Sequence, residues 1–155
     1  VVIADGYARL ERTTNVTAAA VDTPYAIEYE TPSLASGISL DGTDATRIVF
    51  EEGGLFLLAF TAQISSSSGS TVSFRFWPRV NGADAPGATI LAKLHQNNAS
   101  TVVSRTTIFN VAAGDYLQVM WAVDSTSSHL LAAPATAYAP AAPSTTLAIE
   151  RIRAG

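Results

Sequence analysis

The sequence predicts an all-β sandwich, because two segments alternate apolar and polar side chains with the period of a strand and turn signals separate such segments. The first segment begins at Gly54 and places one apolar set on one side of a strand. That set is Phe56, Leu58, Phe60, Ala62 and Ile64. The second segment follows the Gly114–Asp115 turn, where glycine reaches backbone angles that other residues avoid. Its apolar set is Leu117, Val119, Trp121 and Val123.

Residues 1–22 differ from the rest of the chain and are predicted to form an extended N-terminal arm. Much of the local charge lies at 7–12, the residues that follow are small and polar, and no apolar set recurs at helical spacing. Threonine, asparagine and valine also have low helix propensity. The sequence therefore divides into an arm at 1–22, with a short strand around 7–13, and a β domain at 23–155.

The β domain is predicted to consist of short strands separated by turns such as Asn81–Gly82. Strands are expected at 24–28, 46–50, 55–64, 72–80, 89–94, 101–111, 116–123, 130–138 and 145–152. Pro78 has no backbone donor, so the strand at 72–80 is expected to lie at a sheet edge or to carry a bulge. Strands of this number and spacing are typical of a sandwich.

The composition restricts the partners and the compartment. Charged residues make up only 14% of the chain, against roughly 25% in an ordinary soluble domain, which indicates that other subunits cover part of the surface. The alternative is a neutral surface rich in threonine, serine and alanine. A net charge of −4 and a single lysine, Lys93, argue against nucleic acid as a partner. Without cysteine, a long apolar run or a visible signal peptide, we expect no disulfide, no membrane span and synthesis in a cytoplasm without export.

The sequence contains no arrangement of residues typical of catalysis. His95 and His129 lie beside loops and lack the spacing of metal ligands, and the common nucleophile, zinc and phosphate motifs are missing. Asp41 and Asp44 could share a calcium ion, but they lack the dense spacing of a calcium loop, and turn capping is the favoured alternative. We therefore expect no catalytic residue, no metal, no cofactor and no enzymatic activity.

Trp77 is the candidate for an exposed contact. It lies on the polar side of its strand between Arg75 and Arg79, where an aromatic ring could meet a sugar or a protein partner. Ordinary packing between strands is the alternative. Trp121, in contrast, shares parity with Leu117 and is expected in the core.

Three short motifs resemble the trimeric jelly rolls of the tumour-necrosis-factor superfamily, which includes the globular heads of the first complement component. They are the glycine-led strand at 54–58, the Gly-Asp strand at 114–117 and the final strand at 144–149. The turn at 79–82 and the closing Pro143–Ser144 are similar to versions found in tailed-phage virion proteins. The resemblance covers about residues 23–152. It implies an antiparallel jelly-roll sandwich.

The resemblance also implies a homotrimer, in which the strands at 55–64, 116–123 and 145–152 form an inner sheet around a threefold axis. Parity then directs one set of side chains toward that axis: Leu55, Leu57, Tyr116, Gln118, Met120, Thr146 and Ala148. The large apolar members of this set would be poor solvent-facing residues, which burial in a trimer would explain. The alternative is a monomer in which the arm or a loop covers the same apolar patch.

The resemblance to virion proteins implies a structural protein of the virion that decorates and cements a phage capsid, bound to the major capsid protein or to another virion protein. One alternative is a tail-fibre or spike head that binds a host receptor or a glycan, and a more distant one is a soluble trimeric ligand of a cellular receptor. The arm is expected to attach each trimer to the capsid; the alternative is an arm that folds back on its own jelly roll. The residues expected to make this attachment are Tyr7, Arg9, Leu10 and Arg12.

Overall fold

Two antiparallel β-sheets face each other in a computed structural model, which describes residues 6–95 and 97–155. The first sheet contains β1 (Tyr7–Arg12), β2 (Val16–Thr17), β4 (Leu34–Ser36), β7 (Gly54–Ser66), β11 (Ala99–Val111), β13 (Ser128–Leu130) and β14 (Thr145–Ala154). The second contains β3 (Tyr25–Ala26), β5 (Ile38–Leu40), β6 (Ile48–Phe50), β8 (Val72–Val80), β9 (Ala83–Asp84), β10 (Ile90–Leu94) and β12 (Tyr116–Val123). The described residues form no helix, and the predicted antiparallel sandwich is confirmed.

β7 is the central strand of the first sheet. β11 pairs with all 13 residues of β7 on one edge, while β14 and β13 share the other edge, over 54–62 and 64–66 respectively. β1 and β4 extend the sheet beyond β14. Gly54 begins β7 with a φ of 148°, and a side chain there would collide with the backbone oxygen of Arg153. The glycine of the predicted pattern is therefore required by the close approach of β14.

β12 has the corresponding place in the second sheet. β8 pairs with it on one edge, and β6 and β3 share the other. β10 pairs with β8 over 72–76 and β9 pairs with it over 79–80. Pro78 lies between these two partners, so a residue without a backbone donor is accommodated by a break in the pairing rather than by an edge strand.

The core lies between the sheets and is filled by alternate side chains of their strands. Every second side chain of β7 from Phe56 to Ile64 is buried, as predicted. The predicted core residues of β12 are buried as well: Leu117, Val119, Trp121 and Val123. Aromatic rings join the two sheets, with the ring centroid of Phe60 lying 5.1 Å from that of Phe76.

The N-terminal segment belongs to the first sheet: the short strand predicted around 7–13 is present as β1, but the prediction of a separate extended arm at 1–22 is wrong for β1 and β2. β1 lies between β14 and β4, and its Leu10 is fully buried opposite Leu147. Ala8 and Leu10 point into the core, and Tyr7 and Arg9, which alternate with them, point outward. The charged side chains on the outer side of β1 made the segment resemble a solvated arm. Its buried and exposed residues nevertheless alternate as they do in a half-buried strand. The segment at 1–5 lies outside the described residues.

Two of the predicted turns are joined by side chains at one end of the sandwich. Asn81 Nδ2 donates a hydrogen bond of 2.7 Å to Asp115 Oδ1, and the backbone N–H of Ala112 donates one of 2.8 Å to Asp115 Oδ2. Tyr116 N in turn donates to Asn81 Oδ1 at 3.0 Å. The Asn81–Gly82 and Gly114–Asp115 turns therefore form one connected unit between β8 and β12.

The strand predicted at 130–138 ends at Leu130. Residues 131–143 form a loop whose two sides meet in a single bridge between Ala133 and Ala142. This segment contains three prolines, which lack the donors that a continuous strand needs. We call residues 131–143 the projecting loop.

Candidate functional site

The outer surface of the first sheet has an uncharged area on β7, β11 and β14. Because strand side chains alternate, the register places one set of side chains on this surface. It consists of Leu55, Leu57, Ala59, Thr61, Gln63, Val102, Ser104, Thr106, Ile108, Asn110, Thr146 and Ala148. We call these residues the neutral face. Charged side chains lie at its border: Glu150 and Arg153 on β14, with Arg153 opposite Leu55, and Arg9 and Glu11 on β1.

Large apolar side chains are exposed on and beside the neutral face. Ile108 is 55% exposed and Val102 is 58% exposed, both on β11. Tyr7 and Leu34 are exposed on the same side of the sheet, on β1 and β4. A surface that combines exposed aliphatic side chains with missing charge has the composition of a protein–protein interface core.

The predicted axis residues divide between two opposite surfaces. Leu55, Leu57, Thr146 and Ala148 lie on the neutral face. The other three, Tyr116, Gln118 and Met120, are on β12 in the second sheet, so all seven cannot surround one axis. The prediction was wrong for these three because β12 pairs with β8, β6 and β3 and not with β7 or β14.

The three β12 residues have partners within the chain. The guanidinium of Arg47 lies 4.7 Å from the centroid of the Tyr116 ring, which is a cation–π contact. Gln118 Nε2 donates a hydrogen bond of 2.8 Å to Thr46 Oγ1. Met120 is buried, and it pairs across the sheet with Trp77 of β8. Their apolar or polar character is therefore explained without a second subunit.

The outer surface of the second sheet is charged, in contrast to the neutral face. Arg75, Arg79 and Lys93 occupy it on β8 and β10. Trp77, the predicted exposed contact, is half-buried there, and its Nε1 donates a hydrogen bond of 2.8 Å to Asp84 Oδ1. Arg79 Nε donates to the same oxygen at 2.8 Å, and these two hydrogen bonds hold the pKa of Asp84 below its ordinary value. The hydrogen bond of the indole favours the packing alternative for Trp77.

The four residues predicted to attach the protein to a capsid do not form one free strip. Leu10 is in the core. Arg12 Nη1 lies 3.2 Å from Glu28 Oε2, in an ion pair within the chain. Only Tyr7 and Arg9 are exposed, and they lie beside the neutral face. The arm therefore cannot act as a free tether over 7–12 without the loss of a strand from the sheet.

The histidines and the two aspartates serve local structure. His95 Nδ1 lies 3.1 Å from Thr71 Oγ1, and His129 Nδ1 lies 3.2 Å from Thr17 Oγ1. Asp41 accepts hydrogen bonds from the backbone N–H and the hydroxyl of Thr43, which lower its pKa. Asp44 accepts the corresponding pair from Thr46. Both aspartates are turn caps in this structure.

Over 6–95 and 97–155, no group of three or more side chains of the types that bind metals is close enough to hold an ion. The same residues include no helix long and apolar enough to cross a membrane.

Among solved structures, the chain is similar to the structure of Eiger TNF from S. frugiperda. The TM-score is 0.61 at 12% sequence identity, and the match covers 97% of this chain and 94% of that chain. The fold is a tumour-necrosis-factor-like jelly roll. At this identity the likeness concerns the fold alone. The chain matches no protein-family model and no curated protein sequence.

The contribution of β11 to the neutral face was not predicted from the sequence. The sequence does contain the alternation that predicts it. Val103, Phe109 and Val111 are separated by even numbers of residues, and they form the core-facing side of β11. Val102 and Ile108 have the opposite parity, which places them outside. The same test of parity along 101–111 identifies both residues from the sequence alone.

Proposed function

We propose that this protein is a non-enzymatic structural protein of a phage virion, which acts as a homotrimer that decorates and cements the head. The proposed self-association rests on the neutral face. It is an uncharged surface with exposed aliphatic side chains on one sheet of a sandwich whose other sheet is charged. A second copy of the chain would remove these side chains from water, at a gain of about 25 cal/mol per Å² of apolar surface.

The threefold symmetry and the virion role have separate supports. The trimer follows the resemblance to the trimeric jelly rolls, with Leu55 and Leu57 as central contacts. The virion role rests on the similarity of the turn at 79–82 and of Pro143–Ser144 to versions in tailed-phage virion proteins. The major capsid protein or another virion protein is then the partner. Since β1 is a sheet strand, attachment to the capsid is assigned to surfaces other than a free N-terminal arm.

A pair of matched substitutions tests the trimer. Ile108 on β11 and Leu91 on β10 are 55% and 53% exposed, and each lies on a strand that pairs along one edge, with β7 and with β8 respectively. Ile108→Glu places an unpaired charge in the proposed interface, where its desolvation is costly. Leu91→Glu places the same charge on the second sheet. By sedimentation velocity we expect a trimer for the wild type and for Leu91→Glu, and a monomer for Ile108→Glu.

Either of two results would contradict this proposal. A monomeric wild type at all concentrations removes the trimer. If Ile108→Glu and Leu91→Glu associate to the same extent, the neutral face is not the interface. Thermal unfolding of both variants serves as the control for folding, because both substitutions are at exposed positions.

Imaging tests the virion role. Electron micrographs of purified virions with and without the protein should differ by trimeric density on the capsid lattice, and the particles that lack it should break at a lower temperature. Density at the tail instead of the head would support the alternative of a tail-fibre or spike head that binds a host receptor or a glycan. Virions of identical appearance would contradict both roles.

A further inference from the structure

The projecting loop is tightly fixed at its base. Gln63, on β7, donates hydrogen bonds from Nε2 to the backbone oxygens of Leu131 and Pro143, at 3.2 Å and 2.7 Å. These two residues are the first and the last of the loop. Asn15 Oδ1 accepts a hydrogen bond of 2.7 Å from the backbone N–H of Ala132. One side chain of the neutral face therefore holds both ends of the loop.

The tip of the projecting loop is ordered by its own backbone and presents one aromatic ring. Ala133 and Ala142 exchange two backbone hydrogen bonds of 2.9 Å. At the tip, Thr136 N donates to Ala139 O at 2.9 Å, and Ala139 N donates to Thr136 Oγ1 at 3.0 Å. Tyr138 lies within this turn and is 90% exposed. A tyrosine displayed on a preorganised loop binds at low entropic cost, because little conformational freedom remains to be lost.

The loop shares the chemistry of the neutral face. None of the residues at 131–143 is charged, and every residue at 133–141 is exposed. In a monomer, this segment would keep an uncharged chain of alanines and prolines with an exposed aromatic ring in water. Exposed apolar segments of this kind mark interaction sites.

A cyclic trimer needs two different surfaces on each subunit. Its interfaces are heterologous, so the surface that one subunit presents to the next must fit a different surface on that neighbour. The neutral face supplies one of them, as a broad sheet surface. The projecting loop rises from the rim of this face at Gln63, is likewise uncharged, and supplies a protruding second surface.

We propose that the projecting loop is a clasp that docks on the first sheet of a second copy of this chain, with Tyr138 packed against exposed aliphatic side chains of the neighbouring neutral face. This inference rests on the proposed homotrimer and adds the element that reaches between subunits. The loop then limits dissociation of the trimer, since a buried aromatic anchor contributes strongly to an interface.

A single introduced thiol tests the clasp, because the chain contains no cysteine. Ala137→Cys places the thiol beside Tyr138, which is retained. Val21→Cys is the control, because Val21 is 45% exposed in the connection between β2 and β3. We expect a maleimide to label the Ala137→Cys protein about tenfold more slowly in the trimer than after dissociation by dilution, because reaction requires an accessible thiol. The control should be labelled at one rate throughout.

Removal of the ring is the second measurement. Tyr138→Ser should leave urea unfolding of the dissociated subunit unchanged, because the side chain is exposed there. It should raise the dissociation constant of the trimer by at least about tenfold, the effect of losing one anchor of an interface. Val21→Ser should leave that constant unchanged.

The outcomes separate this inference from the proposed function. If the trimer forms and the Ala137→Cys protein is labelled at one rate in trimer and subunit, the clasp is refuted while the trimer stands. An unchanged dissociation constant for Tyr138→Ser refutes it equally. If the wild type never associates, the proposed homotrimer fails and the clasp fails with it.

Discussion

Replacement of Leu10 by alanine decides whether β1 is part of the fold or a free arm. Leu10 is fully buried opposite Leu147, between β14 and β4. Truncation of a buried leucine removes its transfer free energy and leaves a cavity, at a cost of 2–5 kcal/mol. Because Leu10 has no exposed surface, we expect a loss of about 3 kcal/mol in the free energy of unfolding. For a chain of this length, that corresponds to a fall of about 6–12 °C in the melting temperature.

Urea unfolding measures this loss. Wild type, Leu10→Ala and Leu91→Ala should be compared at one protomer concentration, since association adds a concentration-dependent term to stability. The midpoint should fall for Leu10→Ala with an unchanged slope, which indicates a change in stability rather than in compactness. Leu91 is 53% exposed, and its replacement should change the free energy of unfolding by less than about 0.5 kcal/mol.

Equal stability of Leu10→Ala and the wild type would contradict the assignment of β1 to the folded sheet. Residues 7–12 would then contribute nothing to the folded core, and the pairing of β1 with β14 would not exist in solution. A loss near 3 kcal/mol, in contrast, is incompatible with a segment that orders only on a capsid.

Two further predictions concern the N-terminus and the pH dependence of stability. Deletion of residues 1–20 removes β1 and β2 and exposes the edge of β14, so we expect insoluble or unfolded protein, and a soluble product with native circular dichroism would contradict the strand assignment. The hydrogen bonds from Asn81 and from the backbone of Ala112 hold the pKa of Asp115 below its ordinary value of 3.8. Because the folded pKa is the lower one, this contribution is complete above pH ~4 and is lost as the pH falls through the folded value. Urea unfolding at pH ~5 and pH ~2.5 should therefore show a smaller loss of stability for Asp115→Asn than for the wild type, and equal losses would contradict the role of this carboxylate.

The sequence predicted the strands in which apolar and polar side chains alternate clearly, but it did not predict which strands pair with one another. Phe56 and Leu117 were correctly placed in the core, because period two along a strand fixes the side of each residue. Parity does not show which strands lie side by side, so β12 was assigned to the wrong sheet and Tyr116 to the wrong surface. That information is in long-range pairing, such as that of residues 54–66 with 99–111.

The start of the projecting loop was also not predicted from the sequence. Its prolines correctly excluded a helix, but they did not indicate where β13 ends. The loop that follows is held by Gln63, which lies 68 residues before Leu131 in the chain and donates a hydrogen bond to its backbone oxygen. A contact of this kind has no local signature, because the residues that make it are ordinary strand and loop residues in the sequence.

The low charge of the chain had two explanations, a covered surface or a uniformly neutral one, and the distribution of charge separates them. A uniformly neutral surface would have few charged side chains on the outer side of either sheet. Instead Arg75, Arg79 and Lys93 lie on the second sheet, and the outward charged residues of the first sheet lie on β1 and β14, while β7 and β11 have no charged outward residue. Charge depletion confined to one face, together with an exposed aliphatic residue such as Ile108 on that face, is the pattern of an interface. The local depletion therefore favours burial of the neutral face, with the charged residues of β1 and β14 at its border, which is the arrangement that the proposed trimer requires.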